Sequence, residues 1–108
     1  MNLLSESQKT LMKNMYGISK LEADILLVVW DKGKVTNREV YEIFLRKEIK
    51  EKKSNFIPYT TIMSTMNNLA KKKILRIDRN KKTYTYTAEM NRKELAKAII
   101  GSVVEKLL

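Results

Sequence analysis

Two short runs around residue 80 constrain the fold of this chain more than any other feature. Residues 75–79 alternate apolar and polar side chains, and residues 83–87 alternate Thr and Tyr. Both carry the two-residue period of a β-strand. Asn80, Lys81 and Lys82 join them into a hairpin. A single two-stranded hairpin is marginal in water, so this one must pack on something else. The rest of the chain offers helices for that purpose.

Each helix announces its own start. Ser19 and Glu22 have capping-box spacing, and so do Thr36 and Glu39. The first pair opens a helix over residues 20–31, stopped by Lys32-Gly33. Its inner stripe is Leu21, Ile25, Val28 and Val29, widened by Leu26, Leu27 and Trp30, so it is buried on more than one side. Lys34-Val35 then suits a very short strand. The second pair opens a helix over residues 37–52, with Val40, Ile43 and Phe44 on one face. Lys47 or Glu48 falls on the same period, while the C-terminal half, Arg46 to Lys53, alternates in sign and reads as solvated; Glu39, Glu42, Glu48 and Glu51 read as surface partners of lysines. After a connector at residues 54–57, Pro58 suits the first turn of a third helix reaching Lys72. Asn91 with Glu94 opens a last helix over residues 92–107. Ser5 with Gln8 suggests a further short helix over residues 5–16, ended by Gly17.

These elements give a mainly α chain with a small β-hairpin. Three helices followed by a two-stranded wing is the order of a winged helix-turn-helix. The expected organisation is an N-terminal extension (1–17), a winged-helix domain (18–88) and a C-terminal helix (89–108).

Composition narrows the function. The 108 residues suit one domain, and 22 Lys and Arg against 12 Asp and Glu leave a net charge of +10. Such an excess suits a polyanionic partner, either nucleic acid or an anionic membrane face. With no Cys and no His, disulfides, thiolate metal sites and the usual general base are excluded. No cofactor, metal or enzymatic activity is expected. The longest apolar run, residues 25–30, falls far short of the roughly 20 residues that span a bilayer. No basic-then-apolar leader is seen, so a cytoplasmic protein is expected.

The third helix carries the chemistry. At about 100° per residue, Ile62, Met66, Leu69, Ala70 and Tyr59 share the inner face. Thr60, Ser64, Asn67 and Lys71 lie opposite, flanked by Thr61 and Asn68 on one side and Met63 on the other. This outer face has hydroxyls, amides and a lysine but no carboxylate. Such groups donate and accept at base edges, whereas a carboxylate is repelled by phosphate. Next comes a basic stretch: Lys71, Lys72, Lys73, Arg76, Arg79, Lys81 and Lys82 fall within twelve residues, opposed only by Asp78. Arg76, Arg79, Lys81 and Lys82 on a wing suit backbone phosphates or a minor groove. Tyr84 and Tyr86 share one strand face. They either stack on single-stranded bases or pack on the helices, and beside a helical core packing is the expectation.

The run Tyr59-Thr60-Thr61-Ile62-Met63-Ser64-Thr65-Met66-Asn67-Asn68-Leu69, followed by Lys71-Lys72 and Ile74-Leu75, resembles the recognition helix of the penicillinase repressor family. Thr83-Tyr84-Thr85-Tyr86-Thr87 is similar to that family's second wing strand. Ile18-Ser19, Leu21-Glu22, Ile25 and Val29-Trp30 are similar to its first helix. The resemblance covers about residues 18–88. It implies a dimeric winged-helix repressor on a palindromic operator, with Thr60, Thr61, Ser64 and Asn67 at bases or phosphates in the major groove. The chain departs from the family pattern at Asn68, commonly Arg, and at Lys73, commonly Gly. Its C-terminal segment is shorter, and it lacks the cysteines of copper-responsive relatives, so no inducer is implied.

The last helix presents Leu95, Ala96, Ile99, Ile100, Val103, Val104 and Leu107. A second copy is the expected cover for this stripe, with Leu11, Met12 and Met15 contributing. The alternative is that the helix closes its own monomer. The expected partners are double-stranded DNA and a second copy of the chain. Two other readings share the charge: a non-specific architectural DNA coat, and a winged-helix protein-interaction module.

Overall fold

A computed structural model describes residues 17–107 of the chain. The N-terminal helix expected at residues 5–16, with Leu11, Met12 and Met15, lies outside the described residues. Four helices and three strands follow one another: α1 (Lys20–Lys32), β1 (Lys34–Val35), α2 (Asn37–Lys50), α3 (Tyr59–Lys71), β2 (Leu75–Asp78), β3 (Thr85–Ala88) and α4 (Arg92–Leu107).

Three of the helix starts read from the sequence, at Ser19, Thr36 and Asn91, form their capping boxes. Ser19 Oγ accepts from the Glu22 amide while Glu22 Oε1 accepts from the Ser19 amide, at 3.1 and 2.8 Å. Thr36 and Glu39 exchange the same pair of bonds at the head of α2, and Asn91 and Glu94 do so before α4. Each satisfies two backbone N–H groups that a helix start leaves without partners.

The sheet is larger than a hairpin. β3 is its centre, with β1 on one side and β2 on the other, all antiparallel. Tyr86 pairs with Val35 in β1 and with Ile77 in β2. The third strand supplies the extra edge contact that a lone hairpin lacks. β3 begins at Thr85, later than the Thr-Tyr alternation suggests, so Thr83 and Tyr84 belong to the wing loop.

α2 and α3 end in the same way. The amide of Lys52 donates to Ile49 O and that of Lys53 to Glu48 O, both at 3.0 Å. At the end of α3, Lys73 N donates to Ala70 O and Ile74 N to Leu69 O, again at 3.0 Å. These are Schellman motifs, which put one residue in the left-handed region, usually Gly. Here the residues are lysines, with φ of 56° at Lys52 and 64° at Lys73. The motif stops α2 at Lys50, two residues short of the expected end.

The core is shared by every layer. Ile25, Leu26 and Val29 of α1 meet Val40 and Phe44 of α2 and Ile62, Met66 and Leu69 of α3, with Tyr86 behind them. Leu95 and Ile99 of α4 join this core at 1% and 6% exposure, and Trp30 Nε1 donates to Met90 O at 3.0 Å where the chain enters α4. Leu95 and Ile99 therefore close their own protomer, correcting their assignment to a dimer contact. Ile100, Val104 and Leu107 remain exposed. The side chain of Val103 lies outside the described residues.

Two carboxylates are buried: Glu48, which the sequence places on the surface, and the capping-box residue Glu22. Glu48 Oε2 accepts from the Ile57 amide at 3.0 Å and pins the connector against α2. Glu22 is buried where α1 meets the end of α3.

Candidate nucleic-acid interface

α3 starts after Pro58, whose carbonyl accepts from Thr61 N and Ile62 N at 3.1 and 3.2 Å. No acidic residue sits in its first turn. The partial positive charge of that helix end is thus left uncompensated by the helix's own side chains. Ile62, Met66 and Leu69 are fully buried, which fixes the roll of the helix. That roll turns Thr60, Ser64, Asn67, Asn68 and Lys71 outward, all exposed, with Thr61 half-buried beside them.

Several of these side chains have local partners. Ser64 Oγ donates back to Thr61 O at 3.1 Å, and the buried Thr65 Oγ1 does so at 2.6 Å. Asn67 Oδ1 accepts from the Tyr86 hydroxyl at 3.0 Å. This bond joins the exposed rim of α3 to the central strand.

Tyr59 stands at the head of the rim, 36% exposed. Its ring meets Tyr41 edge-on, with centroids 5.4 Å apart and planes at 86°. The Arg38 guanidinium lies 5.9 Å from the Tyr59 ring centroid. Arg38 and Tyr41 on α2 were not foreseen as neighbours of the rim. One signal was present: a cation in the first turn of a helix opposes the helix dipole, so Arg38 invites a search for its partner.

Lys72 is not part of this surface. Its ammonium donates to both oxygens of Glu22, at 2.8 and 2.9 Å, and to Gly17 O at 2.6 Å. It is a tie between the end of α3 and the start of α1, which corrects its assignment to DNA. A lysine run shows charge but not which member turns back toward a buried carboxylate.

The wing carries Arg76, Arg79, Lys81 and Lys82, all exposed. Asp78, the one acid of the stretch, accepts from the Asn80 amide at 2.9 Å and so shapes the turn. Arg76 Nε lies 3.8 Å from Glu89. The two tyrosines part company. Tyr86 is buried as expected, but Tyr84 is 47% exposed, with the Arg79 guanidinium 5.7 Å from its ring centroid. Tyr84 precedes β3, so no strand pairing turns it inward.

The result is one face made of a polar helical rim and a cationic wing, without a free acid on the helix. No described helix is long and apolar enough to cross a membrane. No curated protein matches the chain closely enough to count as a relative. The family model of the penicillinase repressor matches residues 18–108, a span that holds the four helices and the sheet of the described residues. The chain belongs to the penicillinase repressor family of DNA-binding transcriptional regulators, and its winged helix-turn-helix is that family's fold.

Proposed function

We propose that this protein represses transcription as a homodimer on a palindromic operator, with α3 in the major groove and the wing against the flanking backbone. The observation that carries this reading is the outer rim of α3, where Thr60, Ser64, Asn67, Asn68 and Lys71 are exposed and no carboxylate intervenes. Base edges in the major groove offer donors and acceptors that amides and hydroxyls match. Arg79, Lys81 and Lys82 on the wing supply the cations for phosphate contact, which holds register and makes binding salt-dependent.

Support for a dimer comes from α4. Ile100, Val104 and Leu107 are exposed at 62%, 49% and 81%, and they recur at helical spacing on one side. A second copy meeting them about a two-fold axis gives two recognition helices and an inverted-repeat site. Such a protein works in the cytoplasm, where its DNA is, and needs neither cofactor nor metal for the contact.

Selection of bound sequences from a random duplex pool tests the reading. The expected outcome is enrichment of an inverted repeat with half-sites one helical turn, or a multiple, apart. Retention of all duplexes alike is the result for an architectural coat. No retention at all is the result for a protein-interaction module.

A further inference from the structure

Between α3 and β2 the surface folds into a cleft of about 440 Å³. Lys71 and Lys73 stand on the helix side, Arg76 and Arg79 on the strand side, with Asn67 of the rim and Glu89 at its edges. Four cations therefore line one cleft against a single carboxylate. That carboxylate lies 3.8 Å from Arg76 Nε, in an exposed pair, and the other three cations have no acid among the cleft's lining. Like charges gathered this closely repel one another, and an anion among them relieves it.

The backbone adds a second observation. Lys73 occupies the left-handed position of a Schellman motif with φ of 64°. A side chain there costs about 1 kcal/mol against glycine. Lys52 shares that conformation at the end of α2, so the strain alone marks nothing. Lys73 differs in what it faces, because its strained backbone delivers a cation to a cleft that three other cations already line.

We infer that this cleft is a seat for a phosphate group, filled in the DNA complex by a backbone phosphodiester passing between the rim and the wing. The inference rests on the proposed DNA-binding reading and adds Lys73 and a defined subsite to it. The volume exceeds one phosphate and leaves room for the adjoining sugar. Asn67 belongs to both the rim and the cleft wall, so a strand read by the rim crosses the cleft. The same chemistry suits a free phosphorylated small molecule, and the test separates the two.

Duplex affinity is measured by fluorescence anisotropy across a salt series for the full chain, for Lys73→Gln, Lys73→Gly, Lys81→Ala and, as a distant control, Lys97→Gln. Lys73→Gln removes the charge alone, and Lys73→Gly also relaxes the backbone. One contact is lost from each protomer of the dimer, so both are expected to bind all duplexes roughly 30- to 100-fold more weakly at 100 mM salt and to flatten the log–log salt slope by about 1.8. Lys97→Gln keeps the parent slope. If both Lys73 variants match the parent while Lys81→Ala is weakened, the cleft is not a phosphate seat and the DNA reading stands. If the parent itself ignores duplex DNA, that reading fails and takes this one with it. Titration of the DNA-free protein with pyrophosphate, at constant ionic strength, gives the other arm. Micromolar binding abolished by Lys73→Gln, with duplex affinity untouched, overturns the DNA assignment of the cleft in favour of a small anion.

Discussion

The Tyr86 hydroxyl donates to Asn67 Oδ1 across 3.0 Å, so a buried residue of the central strand holds an exposed amide of the recognition helix. The bond fixes which end of the amide is turned outward. With its oxygen engaged by the strand, Asn67 presents Nδ2–H as its free donor. A donor suits acceptors in the major groove, such as N7 and O6 of guanine or O4 of thymine.

Tyr86→Phe removes this restraint and little else, since the ring keeps its place between Val35 and Ile77. Loss of one partly buried hydrogen bond costs about 1 kcal/mol of stability. The expected effect on DNA is a broadened preference at one base pair per half-site, with the salt slope unchanged because no phosphate contact is lost. Sequence selection with the variant checks it. A preference as sharp as the parent's at every position shows that Asn67 needs no such orientation.

The Glu22–Lys72 tie makes a prediction of the opposite kind. Lys72→Ala leaves a carboxylate at 5% exposure that keeps, among the described residues, the hydrogen bond from the Ser19 amide. Stranding a buried charge costs about 3–5 kcal/mol in full burial. The Lys72 side chain is 33% exposed, so solvent screening reduces the figure to about 2 kcal/mol. Urea unfolding should show a lower midpoint at an unchanged m-value. Duplex affinity at a temperature where the variant is folded should keep the parent salt slope. A slope flattened by one contact would return Lys72 to the DNA surface.

Lys52 offers a test of the helix-ending geometry away from the cleft. Lys52→Gly removes the left-handed penalty at φ of 56° while increasing the freedom of the unfolded chain. The first effect is the larger in a Schellman motif, and a net gain of about 0.5 kcal/mol is expected, or a rise of a few degrees in Tm. Calorimetry decides the sign. A fall in Tm means that the lysine stem contributes packing that outweighs the strain.

Much of this architecture is legible in the sequence because its signals are local. The capping boxes at Ser19, Thr36 and Asn91 mark helix starts from three-residue spacings, and the outward roll of α3 follows from the 3.6 period of Ile62, Met66 and Leu69. What escaped is non-local. Nothing in the spacing of Lys71-Lys72-Lys73 says that only the middle ammonium reaches Glu22, fifty residues earlier. Arg38 and Tyr41 meet Tyr59 only because α2 and α3 cross there. The stripe of α4 is one continuous surface in the sequence, yet the protomer's own core takes Leu95 and Ile99 and leaves Ile100, Val104 and Leu107 outside. One amphipathic pattern thus holds two faces whose fates differ, and periodicity sees only their sum.

That division within α4 yields the last prediction. Leu95→Ala empties a site buried at 1% exposure and should cost about 2–5 kcal/mol of stability. Val104→Glu and Leu107→Glu change side chains that are exposed at 49% and 81%, so each protomer should keep its fold and far-UV circular dichroism. In the proposed dimer, the paired glutamates would face one another across the two-fold axis, where burying an uncompensated charge is unfavourable. Analytical ultracentrifugation should then report a folded monomer at concentrations where the parent is dimeric. Operator affinity should fall steeply, because two half-sites no longer bind as one unit. Should Val104→Glu remain a dimer with undiminished operator binding, the exposed side of α4 is not the surface that joins the protomers.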